Sequence, residues 1–108
     1  SGSIPVELGK LSKLTSLRLH NNQLSGAEAG ALTGLVSLEV LSLEDNGMSQ
    51  AAVSAIIAEI YGARDGYNNS ADKTLSIGGS NAQPDATAMV QMGDLETNYR
   101  WVITCTGC

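Results

Sequence analysis

The sequence repeats itself with a period of 24 residues over its first 48 positions, and this feature limits the available folds more than any other. When residue n is aligned with residue n+24, the same residue types recur, and most of the matches are leucines. A fixed period of this length indicates stacked supersecondary units, each of which buries its apolar side only against its neighbours. The matched pairs are Ser1/Ser25, Gly2/Gly26, Leu8/Leu32, Leu11/Leu35, Leu14/Leu38, Leu17/Leu41, Leu19/Leu43, Asn22/Asn46 and Leu24/Met48.

Each copy predicts one short strand followed by a turn. Leu17-x-Leu19 and Leu41-x-Leu43 alternate with polar residues, which is the pattern of a strand with one buried face. Asn22 follows the first strand, and Asn46 follows the second. An amide side chain at such a turn can bond backbone groups of the neighbouring coil, so we expect these Asn residues to form a ladder.

Two copies cannot bury their leucines alone, because a repeat stack usually needs at least about three units. The rest of the chain must therefore continue the same core. Ser49 is a predicted N-cap and Gly62 a predicted end for a helix between them, and Leu75-x-Ile77 repeats the strand pattern. The apolar face of this helix is Val53, Ile56, Ile57 and Ile60.

A second helix and a fourth strand complete the predicted order. Asp85 can cap the helix, and Trp101-Val102-Ile103 supplies the strand. The size of the chain, 108 residues, fits one domain, and the fold class is α/β. The predicted units are residues 1–24, 25–48, 49–80 and 81–108, of which the last two are longer and irregular. The second helix shares one face among Ala88, Met92, Leu95 and Tyr99.

Both copies read L-x-x-L-x-x-L-x-L-x-x-N-x-(L/M), which resembles the leucine-rich repeat. The segments Ser1-Gly2-Ser3-Ile4-Pro5 and Leu8-Gly9-Lys10-Leu11 resemble its plant-type subclass. This resemblance implies a short solenoid of about four stacked layers with a parallel sheet on one concave face. It also implies a non-enzymatic module that binds its ligand on that face.

The second half resembles, more loosely, the closing repeats of leucine-rich-repeat proteins encoded by bacteria and their phages. In those repeats a helix, a strand, an Ala/Pro-rich turn, a second helix and a strand with Trp end the solenoid. Arg100 stands where the family usually has Gly before the Trp. The matching pieces are Ile56-Ile57-Ala58-Glu59-Ile60, residues 73–80, Asn81-Ala82-Gln83-Pro84 and Trp101-Val102-Ile103.

Strict alternation along the four strands predicts which side chains face outward. Apart from Val40, Gly78, Val102 and Thr104, these outward residues form the predicted ligand-binding face, which is polar enough for a peptide or a glycan. An ordinary solvated surface is an equally good interpretation of the same residues. The predicted face is Ser16, Arg18, His20, Ser42, Glu44, Thr74, Ser76 and Arg100.

Charge and hydropathy exclude two kinds of partner. The net charge is −5 and the six basic residues are scattered, so the basic surface that nucleic acid requires is missing. The longest apolar stretch, residues 51–63, is too short to span a bilayer, which takes about 20 residues. We therefore predict no nucleic-acid binding and no membrane insertion.

No residue pattern predicts catalysis, a metal or another cofactor. His20 is the only histidine, and no spacing gives it a triad role. Cys105-x-x-Cys108 lacks a following helix that would activate a thiol and supplies only two zinc ligands, so an intrachain disulfide or two unpaired thiols fit better. Dimerisation through these thiols is a further alternative. The segment 65–72 holds oxygen ligands but lacks the full calcium-loop pattern, and a polar turn is favoured.

The leading prediction is therefore an interaction module for a protein or carbohydrate, extracellular or on a cell or virion surface. The alternative is a structural element, either the C-terminal cap of a longer repeat protein or a unit that forms homo-oligomers. The alternative rests on Ile4, Leu8 and Leu11, which we expect to expose an unfinished apolar layer at the N-terminal end.

Overall fold

A computed structural model describes residues 2–27, 31–67 and 72–105 of the chain. All four predicted strands and both predicted helices are present in it. In chain order the elements are β1 (Gly2–Ile4), a 3-10 helix (Val6–Lys10), β2 (Ser16–Arg18), β3 (Leu24–Ala27), β4 (Val40–Ser42), α1 (Gln50–Gly62), β5 (Lys73–Ile77), α2 (Ala86–Asn98) and β6 (Trp101–Cys105).

The main sheet has four strands in the order β2-β4-β5-β6, and every pair is parallel. Leu17 lies beside Leu41, Leu41 beside Leu75, and Leu75 beside Ile103. These residues face the core, so the strands keep the same side inward from one edge to the other. The mixed α/β architecture with parallel strands is consistent with the fold class expected from the sequence.

A second, smaller sheet was not predicted. It contains β1 and β3, which pair in parallel with an irregularity between Gly2 and Ser3. Its strands are short and contain Gly2 and Gly26 of the two Ser-Gly segments, and glycine weakens any strand signal in the sequence. The 3-10 helix also lies in the N-terminal copy and buries none of its residues.

The expected Asn ladder is present, and it has a member that the repeat alignment missed. The amide nitrogen of Asn46 donates to the carbonyls of Leu43 and Leu19, while its oxygen accepts from the N–H of Leu24. Asn81 does the same one strand further on: it donates to Leu43 and Ile77 and accepts from Asn46 and Met48. These bonds satisfy backbone groups that the turns would otherwise leave unpaired.

A left-handed residue starts each turn. Asn21, Asp45 and Gly79 have φ values of 58°, 61° and 67°, and each lies two positions after the last inward-facing residue of its strand segment. Asn, Asp and Gly are the residue types that adopt this conformation most readily. Asp45 and Gly79 are also in close contact, since a Cβ at position 79 would overlap the Asp45 carboxylate.

Both helices begin where the sequence predicts. The Ser49 side chain accepts from the N–H of Ala52 at 3.2 Å, and the Asp85 carboxylate accepts from the N–H of Ala88 at 2.8 Å. α1 ends at Gly62, as expected, and its predicted apolar face is buried. On α2, Ala88, Met92 and Leu95 are buried as predicted, whereas Tyr99 is half-buried and lies just after the helix. Helix α1 also anchors the preceding loop, because the Glu59 carboxylate accepts from the N–H of Leu32 at 2.9 Å.

Burial increases from the N-terminal copy to the rest of the chain. Leu17 and Leu19 are half-buried, whereas Leu41 and Leu43, at the same positions of the second copy, are fully buried. The prediction that Ile4 is exposed was wrong. Ile4 is fully buried, because β1 packs beside β3 and brings its side chain into the core. Leu8 is half-buried, and Leu11 retains 47% of its exposure.

Candidate functional site

The outward side chains of the main sheet form two straight rows, which we call the strand face. The register places Ser16, Val40, Thr74 and Val102 side by side in the first row. The second row contains Arg18, Ser42, Ser76 and Thr104. Neighbouring strands are about 4.8 Å apart, so both rows are close-set and consist mainly of short hydroxyl-bearing side chains.

His20 and Glu44 extend this surface beyond the ends of β2 and β4. Hydrogen bonds from Leu19 to Ser42 and from Asn21 to Glu44 keep the backbones aligned here. The His20 Nδ1 lies 3.8 Å from the Glu44 Oε1, with side-chain exposures of 42% and 30%. The other carboxylate oxygen of Glu44 is buried and has no hydrogen-bond partner among the described residues. The pair therefore offers an acceptor and an imidazole at one corner of the strand face.

Arg18 and Arg100, the two arginines predicted on this face, lie far from one another. The Arg18 Nε donates to Ser16 Oγ at 3.3 Å, along its own strand. Arg100 has a left-handed φ of 62° at the start of β6, and its Nε donates to the Asp72 carboxylate at 2.8 Å. The predicted residues Ser16, Arg18, Ser42, Thr74 and Ser76 thus share one surface with the His20–Glu44 pair, and Arg100 lies at its opposite edge.

An aromatic cluster on the helix side was missed by the sequence analysis. The Arg64 guanidinium lies 4.1 Å from the Tyr61 ring centroid and 6.0 Å from that of Tyr99, and its Nη1 donates to the Tyr61 carbonyl. The Asp94 carboxylate accepts from the Tyr61 hydroxyl and raises the pKa of Tyr61, while a hydrogen bond from Asn98 lowers the pKa of Asp94. The i, i+3 spacing of Tyr61 and Arg64 at the end of α1 is the signal that could have found it.

Two further polar side chains belong to the core and not to the surface. Lys73 faces inward, fully buried, with its Nζ 5.6 Å from the Trp101 ring centroid, and burial lowers the pKa of Lys73. The Tyr67 hydroxyl donates to the Leu32 carbonyl at 2.6 Å, and burial raises the pKa of Tyr67. The Tyr67 and Trp101 rings meet edge to face at 5.5 Å.

The cysteine and calcium-loop predictions fall partly outside the described residues. Cys105 is disulfide-bonded, and its predicted partner Cys108 lies outside the described part of the chain. Of the segment 65–72, residues 68–71 lie outside it as well, and Asp72 pairs with Arg100. Over residues 2–27, 31–67 and 72–105, no group of three or more His, Cys, Asp or Glu residues could hold a metal ion.

Residues 3–48 match the family model described as leucine rich repeat, which supports leucine-rich repeats in this part of the chain. No curated protein and no solved structure matches the chain. Domains of this class are in general non-enzymatic modules for protein interaction, and their stacked repeats present extended binding surfaces. In the described residues, no helix is both long and apolar enough to cross a membrane.

Proposed function

We propose that this chain is a non-enzymatic module that binds a protein through the strand face. One observation carries the proposal: four parallel strands in register present a continuous polar surface on a backbone fixed by buried side chains. Leu41, Leu75 and Ile103 lie on β4, β5 and β6, and their buried side chains fix the backbone beneath this surface. A surface that is already ordered loses little conformational entropy on binding, so hydroxyl side chains can contribute their hydrogen bonds to affinity.

A protein partner suits this surface better than a carbohydrate. Sugars are commonly held against the faces of aromatic rings, and no aromatic side chain lies in either row of the strand face. The rows offer instead hydroxyl groups, two valines and the charged side chain of Arg18, and the Glu44 carboxylate lies just beyond the end of β4. An extended peptide segment or the edge of a folded domain has backbone donors and acceptors that these hydroxyl groups can bond.

We further infer a four-layer solenoid in which the strand face is concave, with plant-type repeats in residues 1–48 and closing repeats of the bacterial and phage kind in residues 49–108. Support comes from α1 and α2, which are wider than the turn at residues 31–34 and lie on the side away from the strand face. The disulfide of Cys105 favours an oxidising compartment, in accord with an extracellular or virion-surface location.

Self-association through the N-terminal end is a second candidate function. Although Ile4 is buried, Val6 and Leu11 keep 44% and 47% of their exposure. Large apolar side chains on one exposed surface often mark a contact with another protein. A role as the C-terminal cap of a longer repeat protein would use the same surface.

Ser42→Arg tests the proposal, because Ser42 lies in the second row on β4, an interior strand of the main sheet. Ala58→Arg, on the exposed side of α1, adds the same side chain elsewhere and serves as control. On arrays of peptides, folded domains and glycans, we expect the native chain and Ala58→Arg to bind the same peptides or domains. Ser42→Arg should bind them at least tenfold more weakly. Equal binding by all three chains, binding only to glycans, or binding to nothing would contradict the proposal.

A further inference from the structure

The charge of the chain is divided unevenly between its two ends. Residues 1–27 contain three of the six basic residues and one acidic residue, for a net charge of +2. Residues 28–108 therefore carry −7, which gives the total of −5. At the far end, helix α2 contains Asp94 and Glu96 and no basic residue. The two ends of the sheet thus have opposite electrostatic character.

The N-terminal end, which we define as β2, the 3-10 helix with Leu11, and Asn22, has unfilled bonding capacity. In the described part of the chain, β2 pairs only with β4, so its other edge is open. The Asn22 nitrogen donates to the carbonyls of Leu19 and His20. The oxygens of Asn46 and Asn81 each accept N–H groups from the neighbour on the β2 side, and across residues 2–27, 31–67 and 72–105 no such donor reaches the Asn22 oxygen.

The C-terminal end, which we define as β6 and one stripe of α2, also presents a strand edge beside an uncovered helix flank. In the described residues β6 pairs only with β5. Contacts with α1 occupy one flank of α2, where Asp94 bonds the Tyr61 hydroxyl. On the other flank, a Cβ added at Gly93 would meet no atom within 4 Å. The stripe consists of Ala86, Met89, Gly93 and Glu96, at helical spacings of three and four.

We propose that the partner of the N-terminal end is the C-terminal end of a second copy of this chain. Strand β2 of one copy would then lie beside β6 of the next and continue the parallel sheet, so both open edges would gain hydrogen bonds. The apolar Val6 and Leu11 would cover the α2 stripe, Lys10 would approach an acidic helix, and the Asn22 oxygen would lie at the contact. This inference rests on the second candidate function, self-association, and leaves the strand face open.

The dimensions of the molecule set the scale of the end contact. The smallest section through the Cα atoms measures 28 × 19 Å. A contact that covered this section would bury about 1,000 Å², counted on both partners, which is near the lower limit for a specific interface. Because the two contacting surfaces differ, each copy keeps one unused end, and the assembly extends as a chain or closes as a ring. We therefore expect weak, salt-sensitive assembly that depends on protein concentration.

Two variants test the two ends separately: Leu11→Arg at the N-terminal end and Gly93→Arg at the C-terminal end. Ala58→Arg on the exposed side of α1 is the matched control. Sedimentation velocity is measured on chains that are monomeric in non-reducing SDS electrophoresis and folded by circular dichroism. The native chain and Ala58→Arg should show an average mass that rises with concentration and falls between about 0.05 and 0.5 M salt. Each end variant alone should stay monomeric.

A mixture of the two end variants gives the sharpest outcome. Each retains one intact end, so an equimolar mixture should form dimers and nothing larger. A mixture that stays monomeric, end variants that assemble like the native chain, or a native chain that is monomeric at every concentration would overturn the inference. Ser42→Arg should sediment as the native chain does, and the end variants should retain peptide binding. Failure of this inference is therefore separate from failure of the strand face as a binding site.

Discussion

Residues 2–24 and residues 31–105 differ in burial, although each region contains one copy of the repeat. In the first region Leu8, Leu14, Leu17 and Leu19 are only half-buried, whereas their equivalents in the second copy are fully buried. The irregular part of the second region is buried as well, since the inward residues on α1 and β5 are nearly all inaccessible to solvent. In a stack of repeats each unit gains stability from its neighbours, so position within the stack matters more than agreement with the repeat pattern.

The largest expected effect on stability is the difference between two leucines that occupy equivalent positions in the repeat. Leu17 and Leu41 lie side by side and are equivalent in the repeat, but only Leu41 is fully buried. We expect Leu41→Ala to lower the free energy of unfolding by about 3–4 kcal/mol, and Leu17→Ala by about 1–2 kcal/mol. Urea titrations at a concentration where the chain is monomeric measure both. Equal losses would show that the two positions are packed alike.

The Asn ladder gives the next effect. Asn81 makes two bonds through its nitrogen and two through its oxygen, all of them buried, whereas Asn22 bonds only two exposed carbonyls. Removing the Asn81 amide leaves several buried backbone groups without a hydrogen-bond partner. Asn81→Ala should therefore lower the free energy of unfolding by about 2–4 kcal/mol. Asn22→Ala should cost less than about 1 kcal/mol. The same urea titrations measure both variants. If Asn22→Ala lowers the free energy of unfolding as much as Asn81→Ala does, the ladder as described is wrong.

Helix capping is expected to act at an intermediate level. The Ser49 side chain caps α1, and the 3-10 helix of the first region has no side-chain cap. Ser49→Ala should lower the free energy of unfolding by about 1 kcal/mol. Gln50→Ala, at the exposed next position, is the control and should change it by only a few tenths of a kcal/mol. If both variants unfold at the same urea concentration, the cap contributes nothing.

The smallest effect concerns the ion pair between Arg100 and Asp72. Both side chains are largely exposed, at 52% and 77%, although their atoms lie 2.8 Å apart. Surface pairs of this kind contribute between 0 and about 1 kcal/mol, and we expect Asp72→Asn to cost less than about 0.5 kcal/mol. A loss above about 1.5 kcal/mol would mean that this surface contact stabilises the second region as strongly as its core does.

Local signals in the sequence predicted the strands and helices well. Ser49 and Asp85 cap the helices as expected, and Leu75 and Ile77 face inward on β5. The repeat alignment did not identify Asn81 as a ladder residue, because it lies four residues after Ile77, whereas Asn46 lies three after Leu43. The extra residue shifts it out of the repeat alignment while its side chain still reaches the same carbonyls.

Features that depend on contacts between distant segments could not be predicted. Ile4 is buried because β1 lies beside β3. The sequence does not predict this pairing, because both strands are short and contain Gly. Lysine is usually a surface residue, but Lys73 lies beside Trp101 in the sheet, and its side chain is buried on the inward face. The strand face itself was predictable, because alternation along parallel strands fixes which side chains point outward. Whether this face binds a protein is a proposal that the array experiment tests.

Hydrogen exchange at two amides tests the central claim most directly. Leu19 and Leu43 donate the same kind of bond, to the carbonyls of Ser42 and Ser76, at 2.8 and 2.7 Å. If stability comes from neighbouring repeats, the Leu43 amide should exchange at least about 100-fold more slowly than that of Leu19 in dilute solution, because the N-terminal strand can open without the rest. Equal protection of the two amides would contradict the account.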